Sequence, residues 1–154
     1  MTCIFCEIAA GHAPCHKVWE DEKHLAFLSV FPNTKGFTVV IPKIHYSSYA
    51  FDLDDNVLAD LVLATKKTAH VLKSAFPDVA RCGMFFEGYG VDHVHSKLSP
   101  MHGTADMKGW RPIEHKQPVF YEQYPGFLSS HDCERADDTA LAALAADIRA
   151  GRVR

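Results

Sequence analysis

Between Asp92 and Leu98 the chain reads Asp-His-Val-His-Ser-Lys-Leu, which places two histidines and a lysine at alternate positions. If this segment is a strand, His93, His95 and Lys97 share one face, with neighbours roughly 6.5–7 Å apart, twice the rise per residue. Such a row suits a phosphate group: one imidazole to attack, one to orient, and an ammonium to supply fixed positive charge. The bland alternative is a polar strand face that happens to carry histidines. His102, four residues past Leu98, is either close enough to act on a leaving group or an exposed loop histidine. At the N-terminus, Cys3-Ile4-Phe5-Cys6 is a Cys-x-x-Cys spacing. By itself it fits the nucleus of a zinc site, a redox pair or two buried thiols.

The elements that must position these groups read as strands, one long helix, more strands and an irregular tail. Lys17–Glu20 and Leu25–Val30 are short β-prone runs around the charged turn Asp21-Glu22-Lys23. After the turn signal Pro32-Asn33-Thr34-Lys35-Gly36, residues Phe37–Ile41 form a strand ended by Pro42. From Asp54 or Asp55 to Phe76, residues such as Leu58, Leu61, Val62, Ala69 and Leu72 recur at helical spacing. The aspartates suit its N-terminus and Pro77 its end. Gly83–Glu87 is a further strand, and Gly88-Tyr89-Gly90 a glycine loop leading into the histidine strand. Past Pro100 come Pro112, Pro118 and Pro125, with several aromatics between Trp110 and Phe127. A last helix is expected from about Ala136 to Ala150, started by Asp137/Asp138 and stopped by Gly151. Strands interleaved with one long helix indicate an α+β fold rather than a parallel doubly wound sheet.

A chain of 154 residues is expected to form one main domain, here residues 1–110, with 111–154 as a C-terminal extension. The net charge of −3 gives no basic footprint for duplex nucleic acid. No apolar run approaches the length of a membrane span, and the first residues lack the basic and apolar regions of a signal peptide. Five cysteines, an odd number, fit poorly with a secreted disulfide framework, so a cytoplasmic protein with reduced thiols is expected.

Taken together, these segments resemble the histidine triad (HIT) family. The resemblance runs from Cys3-Ile4-Phe5-Cys6-Glu7-Ile8, through Ala26-Phe27-Leu28 and the stretch from Gly36 to His45, to His93-Val94-His95, and covers roughly the first two thirds of the chain. It implies a five-stranded antiparallel sheet with one long helix, and a homodimer. In the family the middle histidine of the triad attacks the α-phosphate of a nucleotide, forming a nucleotidyl-histidine intermediate, and His95 occupies that position. A subset of the family holds a structural zinc, and the matching positions here are Cys3, Cys6, His45 and His93. Phe27, Phe31 and Ile41 are candidates for an apolar base pocket, and amide groups at Gly88 and Gly90 for a phosphate.

The chain also departs from the family. Lys97 stands where the third histidine, or in some branches a glutamine, is usual. It suits a phosphate oxygen, or else pairs with Asp92 or Glu87. Ser29 replaces an aspartate that holds ribose hydroxyls, Phe86 an asparagine that touches phosphate, and Ser96 a usual apolar residue. The expected function is hydrolysis of nucleoside phosphoramidates, mixed anhydrides or dinucleoside polyphosphates. A nucleotidyltransferase or phosphorylase using the same intermediate, and a non-catalytic nucleotide-binding protein, stay open beside it. The aromatic segment Phe120–Phe127 and Ser129–Asp132 is expected to pack on the domain or a dimer interface and tune substrate choice.

Overall fold

The protein is described by a computed structural model over residues 3–106, 119–129 and 134–151. It divides into two compact units, Met1–Arg111 and Pro112–Arg154. The first unit contains the sheet. Its elements in chain order are α1 (Ile4–Ala9), β1 (Lys17–Glu20), β2 (His24–Leu28), β3 (Thr38–Pro42), α2 (Asp55–Ala75), β4 (Cys82–Phe85) and β5 (Ser96–Pro100). The five strands form one antiparallel sheet in the order β1-β2-β3-β5-β4. In the second unit, α3 (Asp138–Arg149) is N-capped by Asp137, whose carboxylate accepts the Ala140 N–H at 2.8 Å. Trp110, Pro112, Pro118 and Ser130–Asp132 lie outside the described residues. No described helix is long and apolar enough to cross a membrane.

Strand alternation divides the sheet between two cores. Ala26, Val40, Val94 and Leu98 pack with Leu61, Ala64 and Leu72 of α2. On the other face, Leu25, Phe27, Val39 and Ile41 meet Phe5, Ile8 and Ala9 of α1. The buried stripe of α2 also contains Thr65 and Thr68, two residues that hydropathy alone would turn outward. Their hydroxyls donate to the carbonyls of Leu61 (2.8 Å) and Ala64 (3.0 Å), so each methyl faces the core with no orphaned donor.

Several expected boundaries shift. Pro42 closes β3 from within, and β4 begins at Cys82 and ends at Phe85. The short helix α1 and a single 3-10 turn at Ala50–Asp52 had no expectation behind them. Asp54 occupies the N-cap of α2, but its side chain accepts no capping hydrogen bond, leaving the aspartates a purely electrostatic contribution there.

His102 is neither at the mouth of the histidine site nor a loose loop residue. The five residues of β5, about 16 Å of strand, separate it from His95. Its Nε2–H donates to the Lys35 carbonyl at 2.7 Å, and its Nδ1–H donates to the Asp78 carboxylate at 3.0 Å. Both partners only accept, so the clamp is complete when the ring carries both protons. Phe76 packs edge-on against it at 5.1 Å, and Gly36 lies so close that a Cβ there would stand 2.5 Å from the Phe76 ring. The clamp joins the β2–β3 turn to the loop after α2. The Lys35 carbonyl and Asp78 carboxylate raise the His102 pKa above its ordinary 6.5, while the His102 hydrogen bond lowers that of Asp78. The His102 contribution is therefore complete below about pH 6.5 and is lost as pH rises through the raised value. Asp78 sets the acid limit, below its ordinary carboxylate value. His102→Gln is expected to lose more stability at about pH 5.5 than at about pH 8.5 by denaturant unfolding, and an equal loss at both would dissolve the clamp.

Candidate functional site

His93 and His95 lie just before β5, not inside it, because the strand begins at Ser96. Fixed contacts replace the missing ladder. The His93 N–H donates to the Val91 carbonyl (2.8 Å) and the Val94 N–H to the Tyr46 carbonyl (3.0 Å). Val94 and Ser96 are fully buried toward α2. The Ser96 hydroxyl meets Thr65 Oγ1 at 2.6 Å, and since Thr65 already donates to Leu61, Ser96 must be the donor. That buried contact explains why a polar residue is stable where an apolar one is usual. With one parity of residues held against α2, His93 and His95 turn to the opposite face, where the Phe5 ring packs edge-on against both at 5.9 and 5.3 Å.

His95 is 95% buried by that packing, with 5% of its surface exposed. Its Nδ1 lies 2.8 Å from the His93 carbonyl, which can only accept, so Nδ1 carries the proton and Nε2 keeps its lone pair. Burial lowers its pKa, the Lys97 charge adds to that, and the His93 carbonyl and the Glu87 carboxylate oppose it. The ring is neutral at pH 7, and one nitrogen is available as a nucleophile.

His93 uses its ring in the reverse sense. Nε2–H donates to the Pro42 carbonyl at 2.8 Å, leaving Nδ1 as the lone-pair atom. Nδ1 lies 3.5 Å from both Cys3 Sγ and Cys6 Sγ, and Cys6 Sγ is 3.5 Å from His45 Nδ1. All four ligand atoms fall within 4.8 Å of one another. A tetrahedron with metal–sulfur and metal–nitrogen bonds of about 2.0–2.3 Å has edges of roughly 3.3–3.8 Å, so the cluster matches a metal site with only modest tightening. Burial lowers the His93 pKa, which keeps the ring in the neutral form that a ligand needs. The residues can hold a metal. Among the described residues, Cys3, Cys6, Cys15 and Cys82 are free thiols.

Lys97 follows on the same face. Its register partners are Val39 on β3 and Phe85 on β4, and its Nζ lies 3.2 Å from Glu87 Oε1. Asp92 is used elsewhere, accepting the Ser48 N–H at 2.9 Å. The Ser48 hydroxyl donates to the Gly88 carbonyl at 2.8 Å, so Ser48, which had no expected role, ties down the glycine loop. Gly88 and Gly90 have φ of 74° and 92°, and a Cβ on Gly88 would approach the Tyr49 ring to 3.3 Å. Among the expected nucleotide contacts, Phe27 is buried with its ring 5.5 Å from Phe5, and Ile41 is fully buried. Phe31 is 90% exposed, and Ser29 Oγ accepts the Phe31 N–H at 3.2 Å, shaping the turn that presents it. A cleft of about 580 Å³ near His24, Asp60 and His70 lies on the α2 face, away from His95. Two of its polar pairs are already made, Lys23–Asp60 at 2.8 Å and His24–Asp21 at 3.2 Å.

Residues 10–102 match the HIT domain family. The chain belongs to it. Across 100 residues it is 36% identical to the adenosine 5'-monophosphoramidase of Schizosaccharomyces pombe, covering 65% of this chain and 74% of that one. Its fold matches the crystal structure of a HIT family member from Bacillus subtilis with a TM-score of 0.65 and 27% identity, over 100% of this chain and 99% of the other. A zinc-bound histidine triad family protein from Mycobacterium smegmatis matches with a TM-score of 0.62 and 26% identity, over 75% of this chain and 85% of the other. The Cys3–Cys6 pair lies ahead of the family match, so the metal cluster joins residues inside and outside it.

The Ser96–Thr65 contact can be tested by its asymmetry. Thr65→Val strands a buried hydroxyl on Ser96 and is expected to cost about 1–3 kcal/mol in urea unfolding. Ser96→Ala leaves Thr65 bonded to Leu61 and should cost less, about 1 kcal/mol. In the double variant the combined loss should be smaller than the sum, and strict additivity would show that the contact contributes nothing.

Proposed function

We propose that the protein is a nucleotide-processing hydrolase that works through a nucleotidyl group on His95. The observation that carries this reading is the tautomer of His95: a neutral ring with Nδ1–H on the His93 carbonyl and the Nε2 lone pair unshared. Nε2 attacks the α-phosphorus and the bond to the leaving group breaks with its electron pair going to that group; water oxygen then bonds to the phosphorus, the N–P bond breaks with its electron pair returning to Nε2, and the water proton is released to solvent. Lys97 and amide groups of the Gly88–Gly90 loop stabilise charge that develops on the phosphoryl oxygens. Phe27, Phe31 and Ser29 are the proposed nucleoside contacts. The similarity to a monophosphoramidase supports a substrate of the phosphoramidate, mixed-anhydride or dinucleoside polyphosphate type. Mass spectrometry of protein quenched during turnover should show one nucleotide added to the wild type and none to His95→Asn, whose rate should fall about 10³-fold or more. Full turnover by His95→Asn rejects the assignment.

The metal proposed for Cys3, Cys6, His45 and His93 is zinc in a structural role, since four protein ligands leave no open coordination position. It would fix α1, and with it Phe5, against the nucleophile. Metal analysis of protein purified without added zinc should find about one equivalent, lost in Cys6→Ser together with several degrees of thermal stability. Less than about a tenth of an equivalent in the wild type refutes the site. A homodimer is proposed through β4, which lies at the sheet edge beside α2 with Met84 46% exposed.

A further inference from the structure

We infer that the Lys97–Glu87 pair sets the class of leaving group, favouring an anionic phosphate-bearing group, as in a dinucleoside polyphosphate, over an amine. This inference rests on the nucleotidyl-transfer reading above and narrows it. Lys97 stands between Val39 and Phe85 on the nucleophile's face, with its side chain only 26% exposed, and Glu87 is 16% exposed. The contact between them is therefore partly withdrawn from water, where charge acts more strongly than on an open surface. Lys97 follows His95 by two residues on the same face, and Glu87 Oε1 lies 3.2 Å from its ammonium. The pair belongs to the reacting centre, not to a remote surface.

The two leaving-group classes need different help. When His95 Nε2 bonds to phosphorus, the electron pair of the breaking bond goes to the departing atom. A phosphate oxygen leaves as an anion and needs only a nearby positive charge. An amine nitrogen must take up a proton, and as an ammonium it is then repelled by a fixed cation. An imidazole in the third position could shuttle that proton near pH 7, whereas a lysine ammonium keeps its charge through this range. Glu87 does not consume the ammonium. A lysine has three N–H donors, so one can stay on Glu87 Oε1 while another meets a phosphate oxygen. Glu87 is thus a positioning residue that aims Lys97 along the sheet.

The test compares two substrates with the same adenylyl half: diadenosine tetraphosphate, which releases ATP, and adenosine 5'-phosphoramidate, which releases ammonia. Wild-type kcat/KM should favour the tetraphosphate by about tenfold or more. Lys97→Gln should slow both substrates, because Lys97 also faces the phosphoryl oxygens they share, but should lose about tenfold or more in kcat/KM on the tetraphosphate relative to its loss on the phosphoramidate. Glu87→Gln, which keeps the ammonium, should retain the wild-type order of preference, and its KM for the tetraphosphate should change more than its kcat. An equal loss on both substrates in Lys97→Gln, a wild-type preference for the phosphoramidate, or a reversed order in Glu87→Gln overturns the inference. The His95 adduct separates the two levels. No adduct from either substrate defeats the nucleotidyl-transfer reading itself, while an adduct with an unmoved preference defeats only the leaving-group assignment.

Discussion

His93 is the joint on which the site depends, because three of its polar groups are committed in three directions. Its Nε2–H is bound to the Pro42 carbonyl, its Nδ1 faces the two thiols, and its own carbonyl accepts the Nδ1–H of His95. The first contact ties the site to the end of β3, the second to the N-terminal segment, and the third determines which nitrogen of His95, the proposed nucleophile, is free. A displaced His93 would lose the acceptor that sets the His95 tautomer. Since the ring is fully buried, no water can substitute without opening the core.

That joint works only because the neighbouring residues face the other way. Val94, Ser96 and Leu98 are held against α2, by apolar contact in two cases and by the Ser96–Thr65 hydroxyl pair in the third. Side-chain period two then sends His95 and Lys97 to the α1 face. A slip of one residue would exchange these sets, burying a lysine against the helix and exposing a leucine. The buried hydroxyl pair adds a geometric condition that apolar packing lacks, since only one register brings Ser96 to Thr65.

Much of this was legible in the chain because the strongest signals are periodic or chemically rare. The five strands, the long helix and its end at Pro77 follow from hydropathy pattern and breakers, and the antiparallel order agrees with short connections. The Cys3–Cys6 spacing and the family resemblance brought the four metal-cluster residues together on paper, and the structure brings them together in space. What escaped was decided by tertiary contact. α1 is six residues long, too short for a periodic signal, and is held by Phe5 and Ile8 on the sheet. Thr65 and Thr68 read as polar until their hydroxyls are seen returning to the helix backbone. Ser48 and the His102 clamp depend on partners 40 or more residues away in one case and 24 and 67 in the other, which no local pattern encodes. The extension of the histidine strand to His93 failed for a related reason: alternation continues there, but the backbone N–H groups of His93 and Val94 go to the Val91 and Tyr46 carbonyls instead of to a strand partner.

The lysine at position 97 also bears on His95, the proposed nucleophile. A histidine there would titrate in the same range as His95, so the field felt by the nucleophile would change with pH just where its own protonation matters. A lysine presents a constant positive charge, which works with burial to keep His95 neutral. Too strong a field would make the imidazole a weaker base and so a poorer nucleophile. Glu87, 3.2 Å from the ammonium, acts in the opposite sense on His95 and limits that effect. The pair therefore supplies an N–H donor that can meet a phosphate while limiting the loss of basicity at His95, whose pKa burial and the Lys97 charge hold below its ordinary value. A lone lysine in the same place would do the first at the expense of the second.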